Sequence, residues 1–90
     1  MVQISLIGAG SVAFSGSFIR DLCVTKTLSG STVVLMDISK ERLNMVHKLA
    51  TRYKNETKAD LNFKTTTERK TALQDADFVV CTVKIVSYDN

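Results

Sequence analysis

Val2-Gln3-Ile4-Ser5-Leu6-Ile7-Gly8-Ala9-Gly10-Ser11-Val12-Ala13 is the stretch that decides how this chain is read. Val2 to Ile7 is a short apolar run that stops abruptly at glycine, the pattern of a buried strand. From Ser11 the period changes. Val12, Phe18, Ile19, Leu22 and Cys23 recur at helical spacing, with Arg20, Asp21 and Lys26 on the other side. Gly8, Gly10 and Ala13 occupy the small-residue positions of a G-x-G-x-x-G/A turn between a strand and a helix. In that pattern Gly8 makes the tight turn, Gly10 leaves room for a diphosphate to approach the backbone, and Ala13 lets the helix pack close to the strand. The amides near Ser11 and Val12 then turn positive partial charge toward the anion. The Ser11 hydroxyl either bonds that anion or caps the helix, and the residues alone leave both open.

Working outward, Leu28-Ser29-Gly30-Ser31 punctuates the helix end. Thr32 to Met36 follows as a second apolar strand, with Asp37 at its carboxyl end. A carboxylate there accepts the two ribose hydroxyls of an adenosine and repels a 2'-phosphate, so it selects NAD over NADP by charge. The other use of Asp37, capping the next helix, falls more naturally to Ser39, with Glu41 in the first turn favoured by the helix dipole. Leu43, Val46, His47, Ala50 and Tyr53 carry that helix to about Asn55, and Lys54 to Asp60 reads as a polar loop. Leu61 to Thr66 is a third strand nearer the sheet edge, Glu68 to Asp75 a short helix over Ala72 and Leu73, and Phe78 to Val83 a fourth, buried strand. The order β-α-β-α-β-α-β predicts a parallel α/β sheet with right-handed crossovers. This is part of a Rossmann-type domain with strand order 3-2-1-4, whose ligand crevice opens above the carboxyl ends of strands one and four.

Composition narrows the function classes. Ninety residues fit one small domain, which buries only roughly 60 to 65% of its unfolded surface. The net charge of +3 comes with basic residues interleaved among Glu41, Glu56, Asp60 and Glu68, a solvated face rather than a basic stripe with stacking aromatics, so nucleic acid is not an expected partner. No apolar run approaches a membrane span, and no basic leader precedes the first strand. The expectation is a cytoplasmic protein that does not engage membranes. Cys23 and Cys81, each among apolar neighbours and far apart, read as buried free thiols. His47 and Tyr53 read as packed or rim side chains of their helix. No paired carboxylates at hydrolase spacing and no Ser/His/Asp set are present.

Three ordered segments resemble the family 4 glycoside hydrolases. They are Ile7-Gly8-Ala9-Gly10-Ser11 with Phe14 and Arg20-Asp21-Leu22; Val34-Leu35-Met36-Asp37-Ile38 with Glu41-Arg42-Leu43; and Ala72-Leu73-Gln74-Asp75-Ala76-Asp77-Phe78-Val79-Val80. The resemblance covers essentially the whole chain. It implies a glycosidase that keeps NAD bound and uses a divalent metal, typically Mn2+. Such an enzyme acts on a small carbohydrate substrate by transient oxidation at C3, deprotonation at C2 and elimination. It also implies cofactor contacts at Gly8, Gly10, Ser11, Val12, Ala13, Asp37, Ile38, Thr82 and Val83. The family's metal-binding cysteine and histidine and its tyrosine base fall beyond these residues, and none of Cys23, Cys81, His47, Tyr53 or Tyr88 occupies those motifs. The chain departs from the family at Cys81, where asparagine is frequent, and near Val86 and Ser87, where a glycine pair is usual.

Residues 1–90 are therefore expected to be the N-terminal part of an NAD-binding domain whose catalytic remainder lies outside this chain, and to be inactive alone. An unpaired outer edge on the fourth strand predicts a homo-oligomer. Two other readings stand beside this one. The first is a truncated oxidoreductase of the lactate/malate dehydrogenase kind, though these usually carry glycine where Ala13 stands. The second is a stand-alone nucleotide-binding or dimerising module.

Overall fold

The computed structural model describes residues 2–81, and four parallel strands alternate with three α-helices along them. β1 (Gln3–Ile7) leads into α1 (Val12–Val24), and β2 (Thr32–Met36) into α2 (Lys40–Thr57). β3 (Asn62–Thr66), α3 (Arg69–Leu73) and β4 (Phe78–Cys81) complete the order. The strands lie in the order β3-β2-β1-β4, so the chain reverses direction across the sheet between β3 and β4, as expected from the sequence. Register is regular: Ile7 pairs with Met36 and Cys81, and Met36 with Thr66. The ends of all four strands are thereby level at the carboxyl edge.

Strand alternation sorts the apolar residues into two cores. Ile4, Leu6, Val33 and Leu35 point to the face covered by α1 and α2, where they meet Ile19, Leu22, Leu43, Val46 and Ala50. Ile7, Val34 and Met36 point to the other face and meet Ala72 of α3. Ser5 also lies on that second face, fully buried, and its hydroxyl donates to the Ala72 carbonyl. A buried polar group so satisfied ties α3 to β1 instead of destabilising the core. The two large helices come close at Gly16, where an added Cβ would lie 3.2 Å from Leu49.

Several boundaries differ from the sequence reading. α1 stops at Val24 instead of running to Gly30: the Thr25 backbone leaves the helical region, and its N–H bonds the Leu22 carbonyl in a tighter turn. A 3-10 turn (Lys26–Leu28) fills the gap, and Gly30, at φ 86°, serves the turn into β2. α2 extends to Thr57, into the Lys54 to Asp60 stretch expected to be a polar loop, of which Lys58 to Asp60 lie outside the helix. The Arg52–Glu56 pair spans one of its exposed turns at 3.1 Å, and Lys58 closes it in the left-handed conformation. β4 is the larger correction. The sequence predicts a buried strand, yet Phe78 is 58% and Val79 46% exposed. The thiol of Cys81, expected to be buried, is exposed, whereas Cys23 is buried as expected, and both are free. Leu73, expected under α3, is also exposed, leaving Ala72 as that helix's buried contact.

Candidate functional site

The carboxyl edge of the sheet gathers the glycine turn and the acid that the sequence singled out. After β1 the backbone turns at Gly8 with φ 81°, a conformation that side-chain-bearing residues rarely adopt. The Gly8 and Ala9 amides both donate to the Met36 carbonyl, at 2.9 and 2.8 Å, so the turn is fastened to the end of β2. Asp37, half-buried, bridges the two elements through its side chain. Its Oδ2 accepts the Gly10 N–H at 2.8 Å and its Oδ1 accepts the Ser39 N–H at 2.9 Å.

This arrangement gives Gly10 a sharper reason than the one read from the sequence. A Cβ at Gly10 would fall 2.6 Å from Asp37 Oδ2, 2.8 Å from its Cγ and 2.9 Å from Arg42 Cβ. The close approach that requires glycine here is that of Asp37 and Arg42. The loop and the acid thus form one unit, in which the carboxylate is aimed by the turn. A carboxylate offers about four acceptor directions. With one backbone amide on each oxygen, Asp37 retains acceptor capacity for the neighbouring hydroxyls of a ribose.

Ser39 caps α2, its hydroxyl accepting the Arg42 N–H at 3.3 Å. That leaves Asp37 outside the cap proper. Ser11 stands at the N-cap of α1 but makes no side-chain capping bond, and no acid lies in the first turn. The positive end of the α1 dipole is therefore not offset by the chain's own first turn, which suits an anion. Val12 and Ala13 open α1. Ile38 follows Asp37 with its side chain 88% exposed. Thr82 and Val83 lie outside the described residues. His47 and Tyr53 sit along α2, Tyr53 against the main core, both away from this edge.

A cavity of about 380 Å³ opens at the same edge, lined by Ile7, Gly8, Met36, Asp37, Ile38 and Arg69. Its walls are mainly apolar, with one carboxylate and one guanidinium. Arg69 escaped the sequence reading, because an arginine opening a five-residue helix carries no periodic or motif signal. A second cavity of about 380 Å³ lies at the amino ends of the strands, where Cys23, Lys26, Thr57 and Lys58 line it. Doubly wound sheets bind ligands at the carboxyl edge, and only the first cavity adjoins the glycine turn. Among the described residues no group of three or more histidine, cysteine, aspartate or glutamate side chains is placed to hold a metal.

The family model for family 4 glycosyl hydrolases matches residues 3–90. The chain belongs to that family. It is 35% identical over 85 residues to an alpha-glucosidase of Erwinia rhapontici, a match covering 92% of this chain and 18% of that protein. An alpha-galactosidase of Rhizobium meliloti is 26% identical over 83 residues, covering 92% of this chain and 17% of that one. Among solved structures, a 6-phospho-alpha-glucosidase from gut microorganisms, in complex with NAD and Mn2+, superposes with a TM-score of 0.77 at 23% identity. That likeness covers 91% of this chain and 19% of the neighbour, and establishes the shared fold. The chain thus spans less than a fifth of the length of the family 4 relatives it matches.

Proposed function

We propose that this chain is the NAD-binding segment of a family 4 glycosidase, and that Gly8, Gly10, Ser11, Val12, Ala13, Asp37 and Ile38 hold the cofactor, with Thr82 and Val83 on its other side. The observation that carries this reading is the joint formed by Asp37 with the Gly10 N–H at 2.8 Å. It sets a carboxylate with remaining acceptor capacity beside a glycine turn and a helix N-terminus. The turn and the first amides of α1 receive the diphosphate. Asp37 takes the ribose hydroxyls and disfavours a 2'-phosphate through charge repulsion. When bound there, NAD would supply the hydride acceptor and donor that the family's C3 chemistry needs.

The remainder of that chemistry needs a metal site and a base. The reading places the Mn2+ ligands and the base in parts of the enzyme outside these residues, and the substrate is a small glycoside. The 90-residue chain is therefore expected to bind NAD without cleaving glycosides. Purified chain incubated with NAD, Mn2+ and a nitrophenyl glycoside checks this: no nitrophenol above background is expected, and turnover would place the base and metal ligands within these residues. We also assign it to the cytoplasm; no helix among the described residues is long and apolar enough to cross a membrane. Self-association through the exposed Phe78 and Val79 on outer strand β4 is the expected oligomeric contact. Light scattering showing a dimer supports it, and a monodisperse monomer contradicts it.

A further inference from the structure

We propose that Arg69 and Ile38 form the seat of the adenine ring, with the Arg69 guanidinium stacking on the base; this rests on the reading of the site as an NAD cradle. Three observations converge on the pair. Ile38 is 88% exposed two residues past the end of β2, beside Asp37, so the chain places an apolar side chain in open space at the cavity wall. Arg69 lines the same cavity, and among the described residues its guanidinium makes no ion pair or side-chain hydrogen bond, although Asp37 lines that cavity too. Arg69 also opens α3, where the helix dipole favours an acid over a cation. Local structure thus gives the cation no role.

The chemistry of the cavity supplies one. With the ribose on Asp37, the attached base has this cavity beside it, whose lining also includes Ile7 and Met36. A flat, weakly hydrated guanidinium stacks on an aromatic base in a way a lysine ammonium does not. Ile38 supplies apolar contact beside it. Arg69 thereby reads the base, while Asp37 reads the sugar.

Calorimetric titration of the full chain with NAD and with ADP-ribose tests the assignment, using wild type, Arg69→Ala, Arg69→Lys and Ile38→Ser. Arg69 and Ile38 are exposed, and unchanged far-UV circular dichroism of each variant establishes that it remains folded. Stacking predicts that Arg69→Ala weakens both ligands about tenfold, with most of that loss persisting in Arg69→Lys. Ile38→Ser is expected to weaken both ligands as well. Wild-type affinity in Arg69→Ala overturns the proposal. So does full recovery in Arg69→Lys, which would mark a charge contact to phosphate instead. If wild type itself binds neither ligand, the NAD reading fails, an outcome distinct from binding that is indifferent to Arg69.

Discussion

β1 and β4 lie side by side in register and β4 is the more apolar of the two, yet it is β1 that is buried. Ile4 is 6% exposed and its partner Phe78 58%; Ser5 is 0% exposed and Val79 46%. The difference lies in what covers each strand. β1 runs under the α1–α2 layer on one face and under α3 on the other, whereas among the described residues β4 forms an outer edge of the sheet, with Val80 alone of its residues packed against the main core. Apolar sequence makes a strand able to be buried, but burial itself is supplied by neighbours. The inner pair β1 and β2 is therefore the well-covered part, and it is this pair whose carboxyl ends carry the glycine turn and Asp37.

The comparison predicts unequal consequences for similar substitutions. Leu6→Ala, at a fully buried position of β1, is expected to cost about 2–5 kcal/mol, a large part of a small domain's stability. Urea denaturation of this variant beside Val79→Ala measures the contrast, and an equal loss from the β4 substitution would break it. Gly10→Ala comes next, at about 1–3 kcal/mol, because the new Cβ must displace Asp37 or Arg42. It sharpens the comparison by loosening the joint between β1 and β2 without touching either strand, so NAD affinity should fall together with stability. A variant that binds NAD normally would detach the joint from the site.

The two cysteines extend the contrast to chemistry. Burial pushes the Cys23 thiol up, against the opposing effects of a Thr57 hydrogen bond and the Lys54 charge. Cys81 on the outer strand is exposed. Alkylation followed by peptide mapping should therefore modify Cys81 well before Cys23 in the native chain. A raised thiol is held protonated in the fold. Its contribution to stability is fully present below the ordinary thiol value of about 8.5 and is lost as pH rises from there through the folded value. A thermal midpoint that falls over that alkaline window in wild type, and falls less in Cys23→Ala, is the expected result. Smallest of all is Phe78→Ser, expected to change stability by about 0.5 kcal/mol or less while reducing self-association.

Much of this architecture was readable in the residues. Strand and helix order follow from the abrupt ending of apolar runs at glycine and acid, the 3-2-1-4 sheet from the usual doubly wound arrangement of such an order, and the tight turn at Gly8 from the glycine pattern. Four things were not readable, each for a physical reason. Polarity at Lys54–Thr57 suggested a loop, but polar residues continue a helix whose exposed face they occupy. Burial of β4 depends on cover that its own four residues do not encode. The relation between Gly10 and Asp37 is a contact across 27 positions, so the need for glycine is visible only once the two strand ends are adjacent. Arg69 is legible only as a wall of the cavity.

The central claim is that Asp37, aimed by the glycine turn, makes this an NAD site. Calorimetric titration of wild type and Asp37→Ala with NAD and NADP tests it most directly. Wild type is expected to bind NAD and strongly disfavour NADP. In Asp37→Ala, NAD affinity should drop on the order of tenfold or more, as expected for losing hydrogen bonds to a charged group, and the preference against NADP should relax. Equal affinity of wild type for the two dinucleotides, or an Asp37→Ala chain that binds both as wild type does, would contradict it.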